Sequence, residues 1–136
     1  MASSGGRLYV PVVDLCMLGS AVGYERLDRV DVAGRGKGEL LALDAATGRR
    51  LWTLRLPQPN FGCATAADGV VFTSTFDGTV YGVGADDGRV LWRARMRAGV
   101  NSCPALASHT LLVGAGVPNG RGSRLELTAF TTGSAG

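Results

Sequence analysis

Gly38 to Trp52, GELLALDAATGRRLW, and Gly78 to Trp92, GTVYGVGADDGRVLW, are two copies of one pattern set 40 residues apart. Gly38 falls on Gly78, Leu43 on Val83, Gly48 on Gly88, Arg49 on Arg89, Leu51 on Leu91 and Trp52 on Trp92. The same offset holds downstream, where Cys63 meets Cys103, Ala67 meets Ala107 and Phe72 meets Leu112. Around the second copy, Asp68-Gly69, Asp77-Gly78 and Asp87-Gly88 each sit between runs of β-formers, the pairing that favours tight hairpins because Gly accepts positive φ. The unit therefore reads as four antiparallel strands: A at Phe61 to Ala66, B at Val70 to Thr75, C at Thr79 to Gly84 and D at Arg89 to Ala94.

These strands are apolar on both faces. Leu40 and Ala42 oppose Leu41 and Leu43, and Val70 and Phe72 oppose Val71, so each sheet needs a cover on both sides. A run through Glu39 to Arg50 rich in Leu, Ala and Glu also suits a helix. Its copy, TVYGVGADDGRV, is a poor helix, and a repeat folds alike in both copies, so strand prevails. A period of about 40 residues, with strand content and a fixed Trp, is the mark of a propeller blade. The fold class expected is all-β: a partial β-propeller of about three four-stranded blades.

The flanking units read as incomplete. Arg7 to Val13 is expected to be strand B of a first blade, with no strand A before it and a long insertion at 14–37 in place of the tight B–C turn. The blades are thus expected at 7–59, 60–99 (complete) and 100–130, the last lacking its outer strand and followed by a small polar tail at 131–136. In that last blade strand A is expected at Asn101 to Ala107, strand B at Thr110 to Gly114 and strand C at Arg124 to Phe130. The expectation is a natural C-terminal end and a Met1 lying inside a propeller that began upstream, with open edges that favour self-association.

The chain has 136 residues, 18% of them charged and 46% hydrophobic, with 21 glycines, a composition of turn-rich β structure and not of disorder. The net charge of +3 comes almost wholly from Arg, a skew better read as codon usage than as a nucleic-acid partner. No run approaches the ~20 apolar residues of a membrane span. MASSGGRLYV carries no visible signal peptide.

Ala42-x-Asp44-x-x-Thr47-Gly48-x-x-x-Trp52 resembles the tryptophan-docking motif of pyrroloquinoline quinone (PQQ) dehydrogenases and their non-catalytic propeller relatives. In the second copy Gly88 and Trp92 match, while Gly82, Gly84 and Asp87 replace the Ala, Asp and Thr. LYVPVVDLCM, ATAADGVVFTSTFDGTVYGVGADDGRVLW and AGVNSCPAL are similar to the late blades of quinoprotein alcohol dehydrogenases. The resemblance covers roughly residues 7 to 130. It implies an indole lying over the Gly of its own turn and packing on the next blade, so Trp52 and Trp92 are expected at equivalent buried sites between blades. For the parent family it implies PQQ held near the axis beside calcium or a lanthanide, with an Asp base and, in many members, a disulfide between adjacent cysteines. It also implies work in the periplasm or outside the cell.

None of that machinery can be placed on this sequence: it has no Cys-Cys pair and no acidic cluster with metal-ligand spacing. No catalytic, cofactor or metal residue is assigned, and the chain alone is expected to hold no cofactor. Cys63 and Cys103 read either as small buried thiols, the plainer case, or as a disulfide, which needs Cα atoms within about 7 Å. With Cys16 the cysteines number three, which gives no clean framework. Asn101 opens an inner strand and reads as a turn residue before an axial ligand. His109 reads as an exposed turn residue, and Arg93, Arg95 and Arg97 as charges blunting an outer edge. Gly114-x-Gly116 leads into VPNGRGS and not a helix, so no dinucleotide loop follows. Gly34-x-Gly36-x-Gly38 is a flexible loop. The leading expectation is the C-terminal part of a PQQ-dependent alcohol dehydrogenase-type propeller, whose partners are its remaining blades. The rival is a non-enzymatic propeller acting as an interaction scaffold, like the outer-membrane assembly lipoproteins.

Overall fold

The computed structural model describes residues 1–15 and 36–131. Eleven strands build three antiparallel sheets, with no helix among the described residues. The first sheet holds β1 (Ala2–Ser4), β2 (Arg7–Asp14), β3 (Lys37–Asp44) and β4 (Arg50–Leu56) in that order. The second holds β5 (Thr65–Ala67), β6 (Val70–Ser74), β7 (Thr79–Gly84) and β8 (Val90–Arg95), and the third β9 (Ala105–Ala107), β10 (Thr110–Ala115) and β11 (Glu126–Thr131). Such meanders of three or four strands make this an all-β, blade-type fold. Most of the insertion at 14–37, with Cys16, and the tail beyond Thr131 lie outside the described residues.

The turn chemistry explains the sheets. Asp68 and Gly69 take φ of 48° and 77°, the two consecutive positive angles that a right-twisted two-residue hairpin requires between β5 and β6. In β3 and β7 the register slips at one point, between Ala42 and Leu43 and between Gly82 and Val83. Each bulge comes where the strand faces its Trp: Ala42 pairs with Trp52, Gly82 with Trp92. The segment weighed as a helix, Glu39 to Arg50, is strand β3 as far as Asp44 and then the turn into β4.

Two expectations are corrected. The first blade does not start at strand B, because Ala2–Ser4 pairs with Arg7–Tyr9 around a Gly5-Gly6 turn and makes a fourth strand. Three small residues carry no β signal; the ladder to β2 places them. The inner strands are also shorter than expected, at Thr65–Ala67 and Ala105–Ala107. The residues before them, Phe61 to Ala64 and Asn101 to Pro104, are irregular links to the preceding blade.

Two cores lie between the sheets. Tyr9, Leu40, Ala42 and Leu56 of the first sheet pack on Val71, Tyr81, Val83 and Ala85 of the second. Val80 of the second, with Met96, Ala98 and Val100, packs on Leu111, Val113 and Ala115 of the third. Burial on this scale, at about 25 cal/mol per Å² of apolar surface, is what joins the sheets. The inner strands converge, β1 against β5 and β5 against β9.

Candidate functional site

Antiparallel order sends every D–A link and B–C turn to one end of the sheets, and that end gathers most of the polar chemistry. There Cys63 and Cys103 form a disulfide, their Cα atoms 4.5 Å apart. The reading as small buried thiols is therefore corrected: each cysteine stands two residues ahead of a short inner strand, where neighbouring sheets converge. Cys63 is half-buried and Cys103 exposed. Beside them Thr65 Oγ1 donates to the Pro104 carbonyl, a second tie between the same two sheets.

A polar layer lies beneath. Asn60, 2% exposed, donates from Nδ2 to Thr73 Oγ1 at 3.2 Å, and the Thr73 hydroxyl donates to the Cys63 carbonyl at 3.1 Å. The Asp77 carboxylate caps the β6–β7 turn, accepting from Thr75 Oγ1 at 2.6 Å, from the Thr79 amide at 3.1 Å and from Arg95 Nη1 at 2.6 Å. Burial acts to raise its pKa, but the Thr75 hydroxyl, the Thr79 amide and Arg95 outweigh it and hold the carboxyl below the usual range. Asn119 Nδ2 donates to the Asp77 carbonyl at 2.9 Å, tying this turn to the third sheet.

The opposite end carries the two tryptophans. Trp52 Nε1 donates to the Ala85 carbonyl at 3.0 Å, and its ring covers Gly88, where a β-carbon would stand 2.8 Å from the indole. Trp52 thus lies on the turn of the next sheet, not on the Gly of its own turn. Its own turn is held by Asp44, which accepts from Thr47 Oγ1 at 2.7 Å and from the Thr47 amide at 2.8 Å; these bonds lower its pKa. Tyr9, whose hydroxyl reaches the Ala85 carbonyl at 3.4 Å, and an Arg7–Asp86 ion pair complete this interface. Trp92 differs. It is 37% exposed and meets Phe130 edge-on, with ring centroids 5.1 Å apart. The two sites are therefore not equivalent; the turn that corresponds to Ala85–Gly88 in the third sheet would begin at residue 132, outside the described residues.

The other singled-out residues scatter. Asn101 is exposed near the disulfide, and His109 is exposed on the β9–β10 turn. Arg95 serves Asp77 and Arg93 lies exposed on the outer strand β8; Arg97, expected on the same strand, lies beyond it in the link to the third sheet, its amide donating to Glu126 Oε1 at 2.7 Å. A flat quinone with its cation needs acidic and cationic donors at the axis. The inner strands, Ala2–Ser4, Thr65–Ala67 and Ala105–Ala107, offer only Ala, Ser, Thr and Leu, and among the described residues no three His, Cys, Asp or Glu side chains stand close enough to share a metal. These residues by themselves do not fit that group. No helix among them is long and apolar enough to cross a membrane.

Comparison with known proteins agrees with the geometry. The chain is 28% identical, over 118 residues, to the lanthanide-dependent methanol dehydrogenase of Methylacidiphilum fumariolicum (strain SolV), covering 73% of this chain and 18% of that protein. The structure of BamB from Moraxella catarrhalis superimposes with a TM-score of 0.56 at 27% identity, over 71% of this chain and 30% of that one. A europium-containing methanol dehydrogenase superimposes with a TM-score of 0.53 at 28% identity, over 59% of this chain and 15% of that one. The chain thus spans under a third of the length of each of these relatives. A family model described as outer membrane protein assembly factor BamB, a PQQ-type repeat model, matches residues 3–134, and the chain belongs to that family.

Proposed function

We propose that these residues serve as wall blades of a longer quinoprotein-like propeller whose parent oxidises an alcohol with PQQ beside calcium or a lanthanide. The reading is carried by the 28% identity to the methanol dehydrogenase over 118 residues. The contribution of this chain is mechanical. Its sheets are locked by Trp52 on one side and by the Cys63–Cys103 bond on the other, which keeps an axial end rigid for a group held by residues elsewhere. PQQ would supply the hydride- or electron-accepting chemistry; the residues described here would supply the frame. A disulfide at a half-exposed site suits an oxidising compartment, in line with work in the periplasm or outside the cell.

The test is a longer protein expressed from the open reading frame around residues 1–136, loaded with PQQ and calcium or lanthanum and assayed with an artificial electron acceptor. Alcohol-dependent dye reduction is expected from the longer protein and none from the 136-residue chain. Tight cofactor binding or turnover by the chain alone overturns the assignment of a purely structural share.

A second reading is a non-catalytic scaffold of the BamB type. It is favoured by the family match over residues 3–134 and by inner strands of Ala, Ser, Thr and Leu. Under it, the longer protein binds no quinone and instead retains a protein partner.

A further inference from the structure

The 40 residues that separate the two cysteines are also the period of the repeat, so the Cys63–Cys103 bond joins equivalent points of two successive sheets. Neither cysteine belongs to a strand: each stands in an irregular link, two residues ahead of β5 or β9. Opening the bond therefore breaks no ladder hydrogen bond. The two residues are also unequal in access, since Cys103 is exposed and Cys63 half-buried. A disulfide open to solvent exchanges with thiols, where a buried structural one resists them.

Other ties hold this joint when the two sulfurs part. On the second sheet the Cys63 carbonyl accepts from Thr73 Oγ1 at 3.1 Å, and Asn60 Nδ2 donates to the same hydroxyl at 3.2 Å in a buried layer. On the third, Ser102 Oγ donates to the Gly114 carbonyl at 2.8 Å and fixes the residue next to Cys103. Across the gap Thr65 Oγ1 donates to the Pro104 carbonyl, and Asn119 Nδ2 to the Asp77 carbonyl at 2.9 Å. The two links also touch: a β-carbon on Gly62 would lie 2.7 Å from Ser74 Oγ and 3.1 Å from the Ser102 carbonyl oxygen. With Val80, Val100, Leu111 and Val113 packed between the same sheets, the two thiols of an opened bond stay near each other, on backbones whose Cα atoms stand 4.5 Å apart when it is closed.

We propose that Cys63–Cys103 is a reversible thiol–disulfide exchange site, opened by a dithiol reductant through attack at Cys103 and re-formed in place without unfolding. A reductant thiolate forms a bond to Cys103 Sγ, the bond between the two protein sulfurs breaks, and Cys63 leaves as a thiolate that takes up a proton. The second thiol of the reductant, once deprotonated, attacks the reductant sulfur of the mixed disulfide and releases Cys103. The reductant ends as a disulfide, having lost two electrons and two protons, and the protein carries two thiols. In that state non-covalent ties alone join the second and third sheets, so the stiffness of the axial end follows the thiol–disulfide balance around the protein. None of this calls on a quinone, and it holds whether or not the longer protein is an enzyme.

The test uses the 136-residue chain carrying Cys16→Ser, which removes the third thiol. Brief treatment with glutathione, quenched with iodoacetamide and mapped by mass spectrometry, should place glutathione on Cys103 and the alkyl group on Cys63, about tenfold over the reverse. Dithiothreitol should open the bond in native buffer within about 100-fold of its rate in denaturant, whereas opening through global unfolding would be slowed about 1,000-fold or more. Oxidised glutathione should then restore the bond, and Thr65→Val should slow that closure about two- to tenfold, the range one hydrogen bond sets. Glutathione found mainly on Cys63, a bond that opens only as the chain unfolds, loss of the cooperative melt on reduction, or equal closure in Thr65→Val overturns the proposal. The longer protein from the surrounding open reading frame supplies a second check. Its Cys103 should be trapped in the same way, and resistance to both thiols there overturns the proposal even where the shorter chain reacts.

Discussion

The two sheet–sheet interfaces solve one problem in different ways. Between the first and second sheets an indole does the joining: Trp52 reaches across to Ala85 and Gly88, with Tyr9 and the Arg7–Asp86 pair beside it. Between the second and third sheets the corresponding indole, Trp92, rests edge-on against Phe130 and stays partly in solvent, and a covalent bond, Cys63–Cys103 at the other end, adds to the apolar core. Equal repeats in sequence thus give unequal interfaces. The docked indole uses a carbonyl and a bare Cα of the neighbouring turn, whereas a disulfide needs only two converging strands.

The largest expected effect comes from cutting the covalent join. The bond closes a loop of 40 residues, and on loop-entropy grounds its loss costs about 4 kcal/mol. Denaturant titration of Cys63→Ser/Cys103→Ser against the native chain measures this, and exchange should rise first in β9–β11. If β1–β4 loosens first, the division of labour between the interfaces is wrong.

Next come the tryptophans. Trp52→Ala should cost about 3 kcal/mol and Trp92→Ala about 1 kcal/mol, since truncation is charged mainly for buried contacts. Equal losses in melting experiments would mean that both indoles are docked in solution. A glycine pair sharpens the same point. Gly48 and Gly88 adopt nearly the same φ, 71° and 72°, but only Gly88 is covered by an indole. Gly48→Ala should cost about 1 kcal/mol for backbone strain alone, and Gly88→Ala about 2–3 kcal/mol because the methyl also displaces Trp52. Matching costs would place Trp52 elsewhere.

The smallest effect is one of pH at the second interface. Asp77 has a folded pKa depressed below its ordinary 3.8, so its contribution is complete above that value and is lost as the pH falls through the folded pKa. Asp77→Asn should lower stability at pH 7 by about 1 kcal/mol and flatten the acid limb below about pH 4. An unchanged acid limb would show that the turn does not stabilise the fold through this charge.

Most strands could be read because their limits are set locally: Asp68-Gly69, Asp77-Gly78 and Asp87-Gly88 punctuate runs of β-formers, and the 40-residue offset fixes the rest. What could not be read is set by other parts of the chain. Ala2–Ser4 is a strand only because β2 offers it a ladder. The disulfide depends on how steeply β5 and β9 converge, which spacing does not reveal. The seat of Trp52 lies 33 residues on, in another sheet, while the motif that signals it is confined to its own hairpin. Of the chemistry at the axial end, the polar layer of Asn60 and Thr73 carried no signal in the sequence at all; two ordinary residues become notable only once buried together.

The two C–D turns also carry a lesson about what a repeat preserves. Their backbones are nearly superposable: Asp44 and Gly84 donate to Arg49 and Arg89 at 2.8 Å, and Gly48 and Gly88 donate back at 2.9 Å. Yet Asp44 and Thr47 in one become Gly84 and Asp87 in the other. In the first, Thr47 Oγ1 accepts from the Arg49 amide at 3.3 Å; in the second, Asp87 Oδ1 accepts from the Arg89 amide at 3.0 Å. That carboxylate leans back so far that a β-carbon on residue 84 would lie 2.6 Å from it, which is why the position is bare. The acid has moved three places along the chain while an oxygen acceptor stays at the same point in space. Inheritance in such a fold is thus of atomic positions, and a motif spelled in letters will undercount the blades that obey it.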